Sequence, residues 1–143
     1  MENEIIQEAK DDYKSLLSFC TTSYQHLLKW KYNKKMQSSS WTRSIHESII
    51  SITRMAGYNK KTRQFKGNYI NKFEENREII FNDAIKAARE EGNNIPDNCR
   101  DVLNDFYSLE TLINRNYIFT WMAGYAKDFN MKASCTFYME NKN

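Results

Sequence analysis

Apolar side chains recur along much of this chain at spacings of three and four residues, the period of a helix with one buried face. The first such segment, about residues 3–31, predicts a long helix with an inward stripe of Ile6, Ala9, Tyr13, Leu16, Cys20, Tyr24 and Leu27. Residues 33–40 are polar and break the pattern, and Ser39 or Ser40 is the candidate cap of the next helix. The sequence therefore predicts a first long helix, a polar turn and a capped second helix.

The second predicted helix runs from Trp41 to about Ala56 and ends at Gly57, a residue that tolerates the left-handed conformation of many helix ends. Its inward positions are Ile45, Ile49, Ile52 and either Met55 or Ala56. A third helix is predicted to follow a basic loop, with Thr62 as candidate cap, and to extend to about Glu91. Its inner face is predicted to comprise Phe65, Tyr69, Phe73, Ile80, Ala84 and Ala87.

The remaining third of the chain has a less regular pattern. Residues 97–106 favour a short helix, and Ser108 is the candidate cap of a helix from Leu109 to about Ala123. Residues 117–143 are predicted to form an ordered tail or an extra short helix, although residues 133–139 have some β character.

The predicted fold is all-α. Four glycines and one proline in 143 residues argue against an all-β protein, which needs frequent turns, and a hydrophobic fraction of 41% is sufficient for a core. We expect a single helical domain over residues 1–143, built as a bundle of four or five helices. The first three are expected to be long and antiparallel.

Charge is distributed unevenly. The net charge is only +3, yet residues 29–66 contain ten basic residues and one acid, Glu47, between two mildly acidic regions. Tyr32 and two tryptophans interleave with these cations. We call this stretch the basic segment, and its candidate binding residues are Lys29, Lys31, Tyr32, Lys34, Lys35, Arg43, Arg54, Lys60, Lys61, Arg63 and Lys66.

Cations beside aromatic rings suit an acidic protein partner, and they also suit phosphates and stacked bases. The alternative without a function is a solvated lysine surface with the tryptophans in the core. The two basic loops flank the second helix. They are therefore expected to form two patches about 20 Å apart if the helices are antiparallel.

Candidate catalytic and metal-binding chemistry is sparse in the sequence. The three cysteines, Cys20, Cys99 and Cys135, are widely spaced and are expected to be reduced and mostly buried. No metal-ligand spacing, nucleophile–base pair or glycine-rich phosphate loop is present, so no cofactor or metal is expected. An enzyme with a site built from His26, His46 and nearby acids remains an alternative.

Two motifs resemble a known bacterial family. They are His26-Leu27-Leu28-Lys29-Trp30-Lys31-Tyr32 and, after a basic spacer, Ser40-Trp41-Thr42-Arg43-Ser44-Ile45. The pair is similar to the family called domain of unknown function 29, and a weaker match follows at residues 84–96 and 108–112. The resemblance covers about residues 4–115 and weakens after Gly92. It implies an all-α fold and carries no assigned catalytic residue.

We expect a non-enzymatic regulatory or inhibitory protein that docks a protein or nucleoprotein partner through the basic segment. Direct nucleic-acid binding by the same segment is the first alternative, and homodimerisation through the first helix is another. Small single-domain chains rich in asparagine and lysine often belong to phages, mobile elements or AT-rich bacteria. The N-terminus lacks the pattern of a signal peptide, and no apolar run is long enough to cross a bilayer, so a cytoplasmic location without a membrane partner is expected.

Overall fold

The computed structural model describes the backbone of residues 2–140 and the side chains of residues 13–140. Within that range the chain forms a short 3₁₀ turn and seven α-helices. The elements are α1 (Glu2–Tyr32), the 3₁₀ turn (Lys34–Met36), α2 (Ser39–Met55), α3 (Tyr69–Glu90), α4 (Arg100–Asp105), α5 (Leu109–Ile113), α6 (Arg115–Gly124) and α7 (Phe129–Phe137). The all-α prediction is confirmed. None of the helices in residues 2–140 combines the length and apolarity needed to cross a membrane.

The three long helices are arranged up, down and up. Tyr13 meets Tyr69 near the start of α3, with ring centroids 5.0 Å apart, and Lys29 meets Glu91 just beyond its end. Helices α1 and α3 therefore run in the same direction, and α2 runs against both. This is the antiparallel succession that the sequence predicts.

The predicted inward stripes form the core where their side chains are described. Leu16, Cys20, Tyr24 and Leu27 of α1 are completely buried, and Ile45, Ile49 and Ile52 of α2 are buried against them. On α3 the buried positions are Phe73, Ile80, Phe81, Ala84 and Ala88, so Ala88 rather than the predicted Ala87 faces inward. Ile6 and Ala9 lie outside the residues whose side chains are described. One face of each long helix is therefore buried in the core.

The start of the third helix was predicted wrongly. Residues 57–68 form an exposed loop instead, with an isolated bridge between Asn59 and Gln64, and Thr62 caps nothing. Phe65 packs against Tyr58 in this loop, with ring centroids 4.7 Å apart and the ring planes inclined at 49°. Gly67 has a φ of 63°, which lies outside the right-handed helical region, so the helix begins only after it.

Two helix boundaries also differ from the predictions. The residue before α2 is Ser38, and its side chain does not bond the helix N-terminus, while Ser39 and Ser40 are already helical. The predicted helix from Leu109 to Ala123 is interrupted at Asn114, whose extended backbone ends α5. Its side-chain oxygen accepts a hydrogen bond from the Tyr117 amide at 3.1 Å and so caps α6. Ser108 caps α5 as predicted, at 3.1 Å from the Thr111 amide.

The C-terminal residues 129–137 form a helix rather than a strand, which agrees with the predicted extra short helix. Asp128 caps it by accepting a hydrogen bond from the Met131 amide at 2.9 Å. Helix α7 packs on α2, where the hydroxyl oxygens of Thr42 and Ser134 lie 2.7 Å apart. Farther along, the His46 and Tyr138 rings lie 4.7 Å apart. The two helices therefore run side by side in the same direction.

Candidate binding surface

The end of α1 is anchored deeply in the protein. Trp30 is completely buried, and its indole nitrogen donates to the Met122 carbonyl oxygen of α6 at 2.7 Å. Two residues later, the Tyr32 hydroxyl donates to the Asp101 carboxylate of α4 at 2.6 Å. A buried indole N–H needs a hydrogen-bond acceptor, so the end of α1 is held in place by the Met122 carbonyl. The turn at residues 34–37, which we call the basic turn, follows directly from this anchored end.

Buried Gln37 joins the basic turn to the connection between α6 and α7. Its amide nitrogen donates to the Trp30 carbonyl at 2.7 Å and to the Tyr125 carbonyl at 2.9 Å. Its amide oxygen accepts from the Lys127 backbone amide at 2.8 Å. One side chain thus satisfies three backbone groups from two distant segments, which places residues 34–37 beside residues 125–127.

Two cations of the basic segment are directed into the protein. Lys29 is only 5% exposed, bonds Glu91 at 3.0 Å and lies 4.9 Å from the centre of the Trp41 ring. Lys31 pairs with Asp101 and lies 4.8 Å from the centre of the Tyr125 ring. A buried or paired ammonium group stabilises the fold and has little charge left for a partner. Tyr32 likewise uses its hydroxyl internally.

Three other lysines face the solvent around the basic turn. Lys34 lies 5.6 Å from the centre of the Tyr125 ring, and the Lys127 ammonium donates to the Lys35 carbonyl at 3.2 Å. Lys34, Lys35 and Lys127 are exposed, and none of them pairs with a carboxylate of residues 13–140. Their charge is therefore available at one end of the bundle.

Exposed apolar side chains adjoin these lysines. Met36 is 63% exposed in the same turn, and Phe129, two residues beyond Lys127, is 80% exposed at the start of α7. Phe137 is 79% exposed two helical turns later, on the same face of α7. We call Lys34, Lys35, Met36, Lys127 and Phe129 the basic tip. Such a grouping of exposed large apolar groups with cations is typical of an interaction site.

The remaining cations of the basic segment lie elsewhere. Arg43 is exposed on α2, one residue from the contact with α7. The others belong to the opposite end of α2, which is 17 residues and so about 24 Å long. There Lys60 pairs with Glu140 at 3.0 Å, and the exposed set comprises Arg54, Lys60, Lys61, Arg63 and Lys66. The structure therefore divides the basic segment between two ends of the molecule.

The two histidines have different neighbours. His26 is half-buried on α1 beside Lys29 and Glu91, and its Nδ1 has no hydrogen-bond partner in residues 13–140. Burial and the Lys29 charge lower the pKa of His26 to about 4, against the opposing effect of Glu91. His46 instead stacks on Tyr138, and burial and Arg115 lower its pKa. The structure does not bring these imidazoles together in one site.

The cysteines are free and buried as predicted. Burial raises the pKa of Cys20 and of Cys135 to about 12, so both thiols stay protonated at neutral pH. Among the described side chains, no group of three or more His, Cys, Asp and Glu residues is arranged to hold a metal ion.

Sequence patterns missed three of the five residues of the basic tip, namely Met36, Lys127 and Phe129. Lys127 and Phe129 lie 90 residues beyond the turn that they adjoin, in a region with no clear periodicity. The available signal was local, because Asp128 is a residue type that caps helices and it immediately precedes Phe129.

Comparison with known proteins places most of this structure within a family. The model of the family described as Domain of unknown function DUF29 matches residues 1–118, which include α1 to α5 and the first part of α6. Helix α7, with Phe129 and Phe137, lies outside the matched range. No curated protein and no solved structure matches the chain. The match covers well over half of the sequence and agrees with the resemblance in its motifs, so the chain belongs to the family of domain of unknown function DUF29.

Proposed function

We propose that this protein is a non-enzymatic regulator or inhibitor that binds an acidic segment of a protein partner at the basic tip. The observation that supports this most directly is the unpaired charge of Lys34, Lys35 and Lys127 beside exposed Met36 and Phe129. Carboxylates of a partner would be attracted to the lysines, and its apolar side chains would cover the methionine and the phenylalanine.

The support of the turn favours a preformed surface. Gln37 and Trp30 hold the backbone of the tip through buried hydrogen bonds, so a partner would not have to order it on binding. Preorganisation reduces the entropic cost of association. Arg43 of α2 and Lys132 of α7 are also exposed, and they add positive charge to the two helices that begin beside the tip.

A site-specific photo-crosslinking experiment in the native host tests the proposal. A photoreactive amino acid replaces Met36 or Phe129 in separate variants, and replaces Ile79 of α3 as the control. Ile79 is 60% exposed, close to the 63% of Met36, and it lies at mid-length of α3 rather than at the basic tip. We expect positions 36 and 129 to crosslink the same acidic protein. Equal labelling of that protein from position 79 would contradict a specific site.

A pair of charge-reversal variants then measures the contribution of charge. Lys34→Glu/Lys35→Glu changes the tip, and Lys61→Glu/Lys66→Glu makes the same change in net charge at the other end of α2. With the crosslinked partner purified, we expect the first variant to raise the Kd about 100-fold and the second less than about threefold. Equal losses in both variants would show attraction to net charge alone and would reject the tip as the site.

Direct nucleic-acid binding is the second candidate function, because an exposed phenylalanine beside lysines can stack on a base. It predicts crosslinks from position 129 to RNA or DNA. It also predicts an affinity that decreases steeply with salt, in proportion to the number of phosphates contacted. A protein partner with apolar anchors predicts a weaker salt dependence and crosslinks from positions 36 and 129 to a protein.

A further inference from the structure

A second positively charged site lies at the opposite end of α2 from the basic tip. A cavity of about 310 Å³ opens between the C-terminal half of α2 and the start of α6. Arg54, Lys60 and Arg115 line it together with Glu140, and Ile49, Ile50 and Ile113 contribute an apolar wall. The lining residues carry three cations and one carboxylate, so the cavity has a net positive charge that a bound anion would balance.

The positive charges of this cavity are mostly unpaired. Arg54 and Arg115 have no carboxylate within ion-pairing distance among residues 13–140, and only Lys60 is paired, with Glu140 at 3.0 Å. The Arg115 Nε is buried and donates to no acceptor in the same range. A buried guanidinium N–H strongly favours an acceptor oxygen, because leaving it unbonded costs about 1–3 kcal/mol.

The position of Arg115 in the fold adds to this potential. It is the first residue of α6, a ten-residue helix, so the partial positive charge of the helix N-terminus lies beside its side chain. The positive charge of Arg115 also acts on α2. Burial is the larger cause of the lowered pKa of His46, and the Arg115 charge is the second. Backbone and side chains thus produce positive potential in the same cavity.

We propose that this cavity binds a small phosphomonoester, with the phosphate group held by Arg115 and Arg54 and the organic part against the isoleucines. A phosphate carries about 1.5 to 2 negative charges and three acceptor oxygens, so it balances three cations better than one carboxylate does. Guanidinium groups match its oxygens in bidentate geometry. Glu140 occupies the position of a competing anion, and binding displaces its carboxylate from Lys60.

Calorimetry on the purified protein alone tests this site, so the result does not depend on a partner at the basic tip. The probes are inorganic phosphate, phenyl phosphate and benzoate, each titrated at constant ionic strength. We expect phenyl phosphate to bind more tightly than inorganic phosphate because of the apolar wall, and benzoate to bind more weakly than either. Benzoate that binds as tightly as phenyl phosphate would overturn the assignment to phosphate.

Matched variants locate the site. We expect Arg115→Gln to weaken phenyl phosphate binding at least tenfold and Arg54→Gln severalfold, whereas Arg43→Gln at the other end of α2 leaves it unchanged. Glu140→Gln removes the competing carboxylate and is expected to tighten binding about three- to tenfold. This gain cannot arise from misfolding, so it decides the matter if Arg115→Gln fails to fold. An unchanged affinity in Glu140→Gln, or an equal loss in Arg43→Gln, would overturn the proposal. A single-stranded oligonucleotide, titrated in the same way, that binds when phenyl phosphate does not would also overturn it.

Discussion

The two ends of α2 differ although both are rich in lysine and arginine. At the N-terminal end, the turn at residues 34–37 is held by Gln37 and by the buried end of α1. At the C-terminal end, the loop at residues 57–68 is exposed and is organised by its own turn and by the Tyr58–Phe65 contact. Similar charge density in the sequence therefore produces a rigid surface in one place and a solvated loop in the other.

The difference arises from the elements that converge on each end. The N-terminal end of α2 meets the ends of α1 and α6 and the start of α7, whose backbone groups are satisfied by buried side chains. In the loop, the Lys60 ammonium donates to Glu140 at 3.0 Å and the Tyr58 hydroxyl donates to Glu110 at 3.4 Å, and all four of these side chains are exposed or half-buried. Local order in a basic region thus depends on the neighbouring backbone and not on the cations.

The largest expected effect tests the anchor of the rigid end. Trp30→Ala should lower the free energy of unfolding by about 4 kcal/mol, because it removes a fully buried indole and leaves the Met122 carbonyl without its donor. Phe65→Ala in the loop is the control and should cost about 1 kcal/mol. Urea denaturation followed by circular dichroism measures both. Equal costs would mean that the two ends are equally well packed.

Gln37 provides the next test. Gln37→Ala should cost about 2–3 kcal/mol, since two carbonyls and the Lys127 amide lose a partner in a mostly buried setting. Gln64→Ala, which removes an exposed amide at the other end, should cost less than about 0.5 kcal/mol. Hydrogen exchange gives a second measurement. Protection of the Lys127 amide against exchange should decrease in Gln37→Ala. Unchanged protection would show that the Gln37 hydrogen bonds do not order the basic tip.

The pH dependence of stability tests the environment of His26. Its pKa is about 4 in the folded protein and near the usual 6.5 in the unfolded chain, so the unfolded state binds more protons between these values. Its contribution is therefore fully present above pH 6.5 and is lost as the pH falls towards 4. Relative to His26→Gln, the wild type should lose roughly 2 kcal/mol over this window. His46→Gln is the second comparison, because burial and the Arg115 charge lower the pKa of His46 in the same direction. A wild type no more acid-sensitive than His26→Gln would contradict the burial of this imidazole.

The smallest effects compare two ion pairs. Lys29→Ala should cost about 1–2 kcal/mol, because the buried lysine loses its packing on Trp41 as well as the bond to Glu91. Lys60→Ala should change stability by less than about 0.5 kcal/mol, because both partners of the Lys60–Glu140 pair are well exposed. Thermal melts of both variants, at low and at high salt, measure the two stability costs. A larger and salt-sensitive loss of stability in Lys60→Ala than in Lys29→Ala would contradict this order.

The family match adds a second comparison within the molecule. Residues 1–118 supply the long helices, the buried end of α1 and the basic turn. Helix α7 lies beyond the match and supplies the two most exposed phenylalanines. The proposed partner site therefore combines a family element with one outside the matched range.

The long helices and most of their buried faces could be read from the sequence, because a period of three to four apolar residues reports burial directly. The stripes at Leu16 to Leu27 and Ile45 to Ile52 were predicted and are buried. The start of α3 could not be read so well. Phe65 fits the helical period but lies before Gly67, and tertiary contact with Tyr58 competes with the local pattern.

By itself the sequence determined the helical class, the core stripes and the excess of positive charge in residues 29–66. Only the tertiary structure decided which of these charges remain available. Lys29 and Lys31 are neutralised by Glu91 and Asp101, which are 62 and 70 residues away, while Lys34 and Lys35 gain Lys127 as a neighbour. The physical reason is that periodicity records burial within one helix, whereas ion pairing depends on distances between segments that the linear order does not contain.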